Sequence, residues 1–341
     1  VLPFVSVALI HSLGRLNTTD ARILARNAGA ALLVIWAVTL TVVVSFPLAF
    51  PGWEAASFFS TSLVEEAPPF DPLALYLPAN PFKAFADGVV PAVVVFSVAV
   101  GLSLMLSERK QALLESLGTL EETLQRIAGF VVSLAPYGVF AIAGHAAGTM
   151  RIDELLDLQV YATAYVVAAL VLAFWILPVL VTSLTPFRYG EVVGHARAAL
   201  ITAFATGSVF VVLPILAQRS KELLDTREDA RESRELVDVI VPIAFTLSSA
   251  GKLLSLAFIL FAGWMSGFPL ALTQVPQFLV SGLFSFFAST AMAIPFLLDL
   301  FRIPADAFQL FLVADNIVGN RFGSLLASVH ILSLTLLGTC G

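Results

Sequence analysis

The chain has one cysteine, Cys340, so it can close no internal disulfide and build no thiolate metal cluster. Its four histidines, His11, His145, His195 and His330, are scattered, which leaves no cluster at metal-ligand spacing. No Gly-rich stretch leads into Lys-Ser or Lys-Thr, so a phosphate-cradling loop is absent. No nucleophile–base pairing stands out in any block, and an enzyme is not expected. Strand-type alternation is not sustained anywhere, which argues against a β-barrel. Charge is scarce: Asp, Glu, Lys and Arg make up 12% of the chain, against about 25% in soluble proteins. The net charge of −6 comes with no basic stripe, so a nucleic-acid partner is not expected. What fills the gap is apolar, at 59% of residues and a mean hydropathy of +0.94. That leaves too little polar surface to cover a water-soluble globule. The lipid bilayer is the expected solvent, and an all-α polytopic membrane protein is the expected fold class.

A hydrocarbon core of about 30 Å needs about 20 mostly apolar helical residues. Apolar blocks of this kind run over 1–13 (a half-span), 28–50, 81–106, 126–149, 159–184, 198–217, 237–268, 275–300 and 304–339. The chain begins inside an apolar run, Val1 to Ile10, and an earlier span is expected to be missing. Two blocks are interrupted. Thr206-Gly207-Ser208 splits 198–217; Ser285 and Ala288-Ser289-Thr290 split 275–300, with Pro295 after them. Each reads either as a kinked span or as a helix–turn–helix that enters the membrane and returns. Irregular backbone at membrane depth is tolerated only inside protein or along a cavity, and paired interruptions of this kind point to a transport site.

Loop charge favours re-entry. Arg15, Arg22, Arg26, Arg109, Lys110, Arg126, Arg188, Arg197, Arg219, Lys221, Arg227, Arg231 and Arg234 are thirteen of the eighteen basic residues. All fall on one side if 198–217 returns to the side it entered. Segment 51–80 has no Lys or Arg but carries Glu54, Glu65, Glu66 and Asp71. By the positive-inside rule the basic loops are cytoplasmic. The Arg- and Glu-rich run 219–235 reads as a solvated link.

Several motifs resemble the dicarboxylate/amino acid:cation symporter family, which includes the glutamate transporters. They are Asn80-Pro81-Phe82 before an apolar block, Leu134-Ala135-Pro136-Tyr137-Gly138-Val139-Phe140-Ala141, and Thr202-Ala203-Phe204-Ala205-Thr206 with Leu213-Pro214. Val241-Pro242 and Ile303-Pro304, with Asp315 eleven residues on, complete the set. The resemblance implies a homotrimer of a glutamate-transporter-like fold, with two re-entrant hairpins and broken seventh and eighth helices. It also implies a multi-pass membrane location, a small-molecule solute as partner, and an elevator motion of a transport domain. On this reading 1–13 is a remnant of the second helix (scaffold) and 26–50 is the third helix (transport domain). Residues 72–184 hold the fourth to sixth helices, and 187–341 hold both hairpins with the seventh and eighth helices. The implied function is secondary active transport of a dicarboxylate or amino acid, with an anion-conducting or non-transporting relative as the alternative.

The sequence departs from the family at its chemistry. The first hairpin tip, serine-rich in the family, reads Ser208-Val209-Phe210-Val211-Val212. Ser248-Ser249-Ala250-Gly251, followed by Lys252, stands where the family has Asn-Met-Asp-Gly. Phe287-Ala288-Ser289-Thr290 replaces the glycine-rich second tip. Asp315 remains, but Gly319, Phe322, Leu326 and His330 stand where the resemblance would place an acid for a substrate amine, an arginine and two sodium ligands. This argues against family-type sodium sites. Substrate-binding candidates are Thr206, Ser208, Ser289, Thr290, Asp315, Asn320 and Arg321. Ion-coupling candidates are Thr246, Ser248, Ser249, Lys252 and His330, with sodium or a proton as the coupling ion and no other cofactor. The hydroxyl side chains have a plain alternative, bonding back to their own helices. Lys252 is either a tethered cation in place of a mobile one, with Asp315 its natural partner, or a snorkelling or structurally paired charge. His330 is either a proton carrier or a neutral buried ring hydrogen-bonded to backbone.

Overall fold

A computed structural model describes residues 2–16, 18–50, 76–77, 80–133, 137, 144, 152–227, 234, 236–267 and 269–340. Among these residues all regular structure is helical. The Leu134–Ala141 motif, Tyr137 apart, lies outside them, as does most of the acidic segment 51–80. Among the described residues four helical stretches are long and apolar enough to cross a membrane: Arg26–Ala49, Leu158–Leu184, Ile240–Met265 and Ala307–Cys340.

The chain divides into two compact units. The first comprises Val1–Arg15, Ser45–Ala162 and Leu256–Ala314. Here α1 (Leu2–Arg15) is the expected half-span. The helix α3 (Pro81–Ala86) shows why Asn-Pro begins a helix. The Asn80 side chain accepts from the Phe82 and Lys83 N–H groups, and Pro81 takes the first position, where no N–H is needed. Next comes α4 (Val90–Met105), whose Ser97 Oγ lies 2.7 Å from Ser6 Oγ of α1. The helix α5 (Gln111–Ser133) corrects an expectation: 107–126, between two apolar blocks, reads as a charged loop, and its part from Gln111 onward folds as helix. One of those charges, Glu121, meets His11 of α1 at 2.6 Å. An aromatic core, Tyr161 with Phe258 and Phe261 (ring centroids 5.3 Å apart in each pair) and Phe258 with Phe311 at 5.2 Å, holds the unit together.

The interrupted block 275–300 is helix–turn–helix. The helices α13 (Val275–Ser285) and α14 (Thr290–Leu300) flank Phe286–Ser289, and they pack on each other.

The second unit comprises Leu16–Val44, Thr163–Ser255 and Asp315–Gly341. It contains α2 (Thr18–Val44) and the end of α6 (Ile152–Val171). A π turn, Leu172–Ile176, leads from α6 into α7 (Leu177–Leu184). Pro178 has no N–H for the Phe174 carbonyl four residues back, and the Tyr189 hydroxyl takes that carbonyl instead. The interrupted block 198–217 is α8 (Tyr189–Thr206) and α9 (Val209–Asp225), separated by Gly207 and Ser208. Gly207 adopts φ 64°, the left-handed backbone that ends helices.

The expected break in the seventh helix is present: α10 (Val237–Thr246) stops, Leu247 to Ser249 run extended, and α11 (Ala250–Leu254) resumes. A further helix, α12 (Ala257–Met265), follows in the first unit. The eighth helix differs from expectation. It stays helical from α15 (Ala307–Ala314) through a π turn at Asp315–Gly319 into α16 (Asn320–Cys340). Burial of α16 is near total from Ser324 to Thr339, so this helix is the axis of its unit.

Candidate functional site

The break between α10 and α11 leaves backbone groups without helical partners, and in a membrane protein these must be satisfied inside the protein. Trp36 of α2 donates its indole N–H to the Ser248 carbonyl at 2.7 Å. The Ser249 hydroxyl caps α11 by accepting from the Lys252 N–H at 3.4 Å. The Ala250 N–H donates to His330 Nδ1 at 3.2 Å. A backbone N–H can only donate, so Nδ1 carries no proton in this arrangement and the ring proton sits on Nε2. That Nε2 is buried and finds no partner among the described residues.

Close backbone approach brings α11 onto α16. A β-carbon built on Gly251 would sit on the Gly323 carbonyl, 2.8 Å from its carbon and 3.0 Å from the Ala327 nitrogen. Small residues at such a crossing let helices meet where side chains would hold them apart. Fully buried Tyr165 reaches the same place, its hydroxyl 3.5 Å from the carbonyls of both Gly251 and Gly319. One phenol therefore ties the break in the seventh helix to the π turn of the eighth.

The π turn shapes Asp315. A β-carbon on Gly319 would collide with the Asp315 carboxylate, with Cγ 3.1 Å away, so the missing side chain at 319 leaves the room Asp315 occupies. One residue on, Asn320 lies against the turn between α8 and α9. Its Nδ2 is 2.9 Å from where a Gly207 β-carbon would be. Phe204 and Phe322 meet edge-on beside it, with centroids 5.0 Å apart.

The candidate residues thus separate into groups. Thr206, Ser208 and Asn320 gather at the α8–α9 turn; Ser248, Ser249, Lys252 and His330 belong to the break; Asp315 stands on the π turn. Ser289 and Thr290 belong to the other unit, at the start of α14. Two hydroxyls bond to their own helices, Thr206 to the Thr202 carbonyl at 2.7 Å and Thr246 to the Ile243 carbonyl at 2.8 Å. Arg321 is exposed and Lys252 half-buried. Among the described residues no carboxylate lies within ion-pairing distance of either cation, so the expected Lys252–Asp315 pair does not form. Trp36 and Tyr165 are the residues that sequence reasoning missed. Their signal was a polar-tipped aromatic in mid-block, where its N–H or O–H must find a buried partner. Among the described residues there is no His/Cys/Asp/Glu group that could hold a metal ion.

At the start of α8, the Arg188 backbone N–H donates to Glu191 at 2.8 Å, and the Arg227 guanidinium adds a 3.4 Å contact. These hold the Glu191 carboxyl below its ordinary pKa, the backbone bond contributing most.

Comparison with known proteins bears on what this arrangement serves. Residues 1–329 match the sequence profile described as the Sodium:dicarboxylate symporter family. The C4-dicarboxylate transport protein 1 of Pseudomonas paraeruginosa is 26% identical over 277 residues, covering 75% of this chain and 59% of that protein. The proton/sodium-glutamate symport protein of Bacillus subtilis is 24% identical over 182 residues, covering 52% of this chain and 40% of that protein. A putative sodium-dependent excitatory amino acid transporter of Caenorhabditis elegans is 29% identical over 178 residues, covering 51% and 34%. The chain spans less than two thirds of the length of these relatives.

Proposed function

The chain belongs to the sodium:dicarboxylate symporter family and is an integral membrane protein, and from that premise we propose that it is the core of a secondary active transporter for a small carboxylate anion, a C4-dicarboxylate or an acidic amino acid. The observation that carries the substrate's charge is the pair of cations at the interrupted helices. Lys252 and Arg321 lack carboxylate partners among the described residues, and Asp315 is the one acid of the helical stretch Ala307–Cys340. Lys252, half-buried, is a charge in an apolar setting that needs a counter-charge, and a carboxylate solute supplies it.

The proposed motion is an elevator. Its support is internal: the second unit is stitched by Trp36–Ser248, by Tyr165 on Gly251 and Gly319, and by the Gly251–Gly323 crossing. A body with its own buried contacts can travel without coming apart. In the proposed arrangement the third helix and the stretch from residue 187 carry the solute, although Leu256–Ala314 of that stretch groups with the first unit; the two helix–turn–helix blocks are re-entrant, and three copies assemble. His330 bears on proton coupling. Carrying a proton on Nδ1 means surrendering the Ala250 N–H, so protonation and the geometry of the break would change together.

Uptake of labelled succinate and aspartate into proteoliposomes is the test. Saturable, concentrative uptake competed by other dicarboxylates is the expected result. A conductance whose reversal potential follows the chloride gradient, without uptake, would replace transport by an anion pore. Neither activity in a stable oligomer would leave a non-transporting relative.

A further inference from the structure

Sodium is the cation that the family's description names, and the donor set at the break does not fit it. A hard cation needs several oxygens free to turn toward it at once, with carboxylate charge to offset the loss of its water. Here the Ser248 carbonyl already accepts from Trp36, and the Gly251 and Gly319 carbonyls face the Tyr165 hydroxyl. Position 250 is an alanine whose N–H is engaged by His330, a ring that brings nitrogen rather than a carboxylate. The Ser249 hydroxyl oxygen accepts from the Lys252 N–H. Each of these oxygens therefore already has a protein donor beside it, and none of them is a carboxylate. Lys252 itself is the third residue of α11, half-buried, with no carboxylate of the described residues in reach.

We propose that Lys252 is a built-in counter-cation: its ammonium supplies, permanently and in place, the positive charge that a co-transported sodium would bring, so this chain binds and moves its carboxylate solute without sodium. A fixed ammonium also repels a second cation from the same region, which makes the two arrangements exclusive. The inference rests on the carboxylate-transport reading above. It adds that a charge travelling with the protein, rather than with the solute, neutralises the load.

Succinate uptake is measured in proteoliposomes with sodium and with choline as the external cation, for the wild type, Lys252→Met and Lys252→Arg. Wild-type uptake is expected to be the same in both salts. Lys252→Met should lose about tenfold or more of it in either salt, while Lys252→Arg, which keeps the charge, retains a measurable part. Wild-type uptake that falls about tenfold in choline overturns the proposal. Full uptake by Lys252→Met overturns it as well. Because a variant can fail to fold, wild-type thermal stability with succinate in sodium-free buffer is a second reading. Stabilisation without sodium is expected, and stabilisation only with sodium overturns the proposal. Uptake of no carboxylate in either salt, with no stabilisation, defeats the transport reading itself and this inference with it; sodium-dependent uptake defeats this inference alone.

Discussion

Gly251 rests directly on the backbone of Gly323. The ideal position of a β-carbon at 251 lies 2.8 Å from the Gly323 carbonyl carbon, closer than real β-carbons come to anything. The helix that resumes after the break and the helix that carries His330 cross here with no side chain between them.

Gly251→Ala should therefore cost more than an ordinary glycine replacement. The obstruction is backbone on both sides, so nothing flexible can yield, and overpacking of about 1–3 kcal/mol or more is expected. Gly190→Ala, in the first turn of α8 with open space around it, is the control and should be neutral or slightly stabilising. Thermal unfolding of the purified protein compares them; equal melting temperatures would mean the crossing is looser than described.

Gly207→Ala meets two obstacles, the left-handed φ of 64° and Asn320 Nδ2 at 2.9 Å. The backbone part alone costs about 1–2 kcal/mol. Removing the neighbour with Asn320→Ala should relieve the steric part only. The double variant is then less destabilised than the sum of the singles, with a loss remaining from φ. Strict additivity in melting data would show that Asn320 does not touch the turn.

His330 should appear in nitrogen NMR as the neutral tautomer protonated at Nε2, because Nδ1 accepts the Ala250 N–H. His330→Leu leaves that N–H buried and unpaired, at about 1–3 kcal/mol. His330→Asn, whose side-chain oxygen stands near the Nδ1 position, should lose less. A spectrum showing a proton on Nδ1 would contradict the bond.

Glu191 predicts a pH effect away from the transport site. Its folded pKa is depressed, first by the Arg188 backbone N–H and then by Arg227. Such a group contributes stability above its unfolded pKa and loses it as pH falls through the folded value. Glu191→Gln removes that contribution, so the variant's melting temperature should fall less between neutral and acidic pH than the wild type's. Parallel curves would assign the acid sensitivity elsewhere.

Membrane residence, the helical class and the places where helices stop were legible in the sequence, because each depends on local chemistry. Long apolar blocks demand lipid, and Gly207 and the Asn80-Pro81 cap announce a helix end and a helix start within a few residues of themselves. Residues 107–126 read as a loop although the part from Gln111 onward is helix, because its charges mask a helix whose partner, His11, lies far away in sequence. The π turn at Asp315–Gly319 was not legible, since no glycine–proline punctuation distinguishes it from ordinary helix. Nor was the fate of the charges: sequence proximity in kind suggested Lys252 with Asp315, yet Asp315 settles over Gly319 and Lys252 is left without a carboxylate among the described residues. The contacts that satisfy the break join Trp36 to Ser248, Tyr165 to Gly251 and Gly319, and His330 to Ala250. Each pair is separated by at least 80 residues, so only the packing of helices, which places distant donors against orphaned acceptors in a medium without water, decides them.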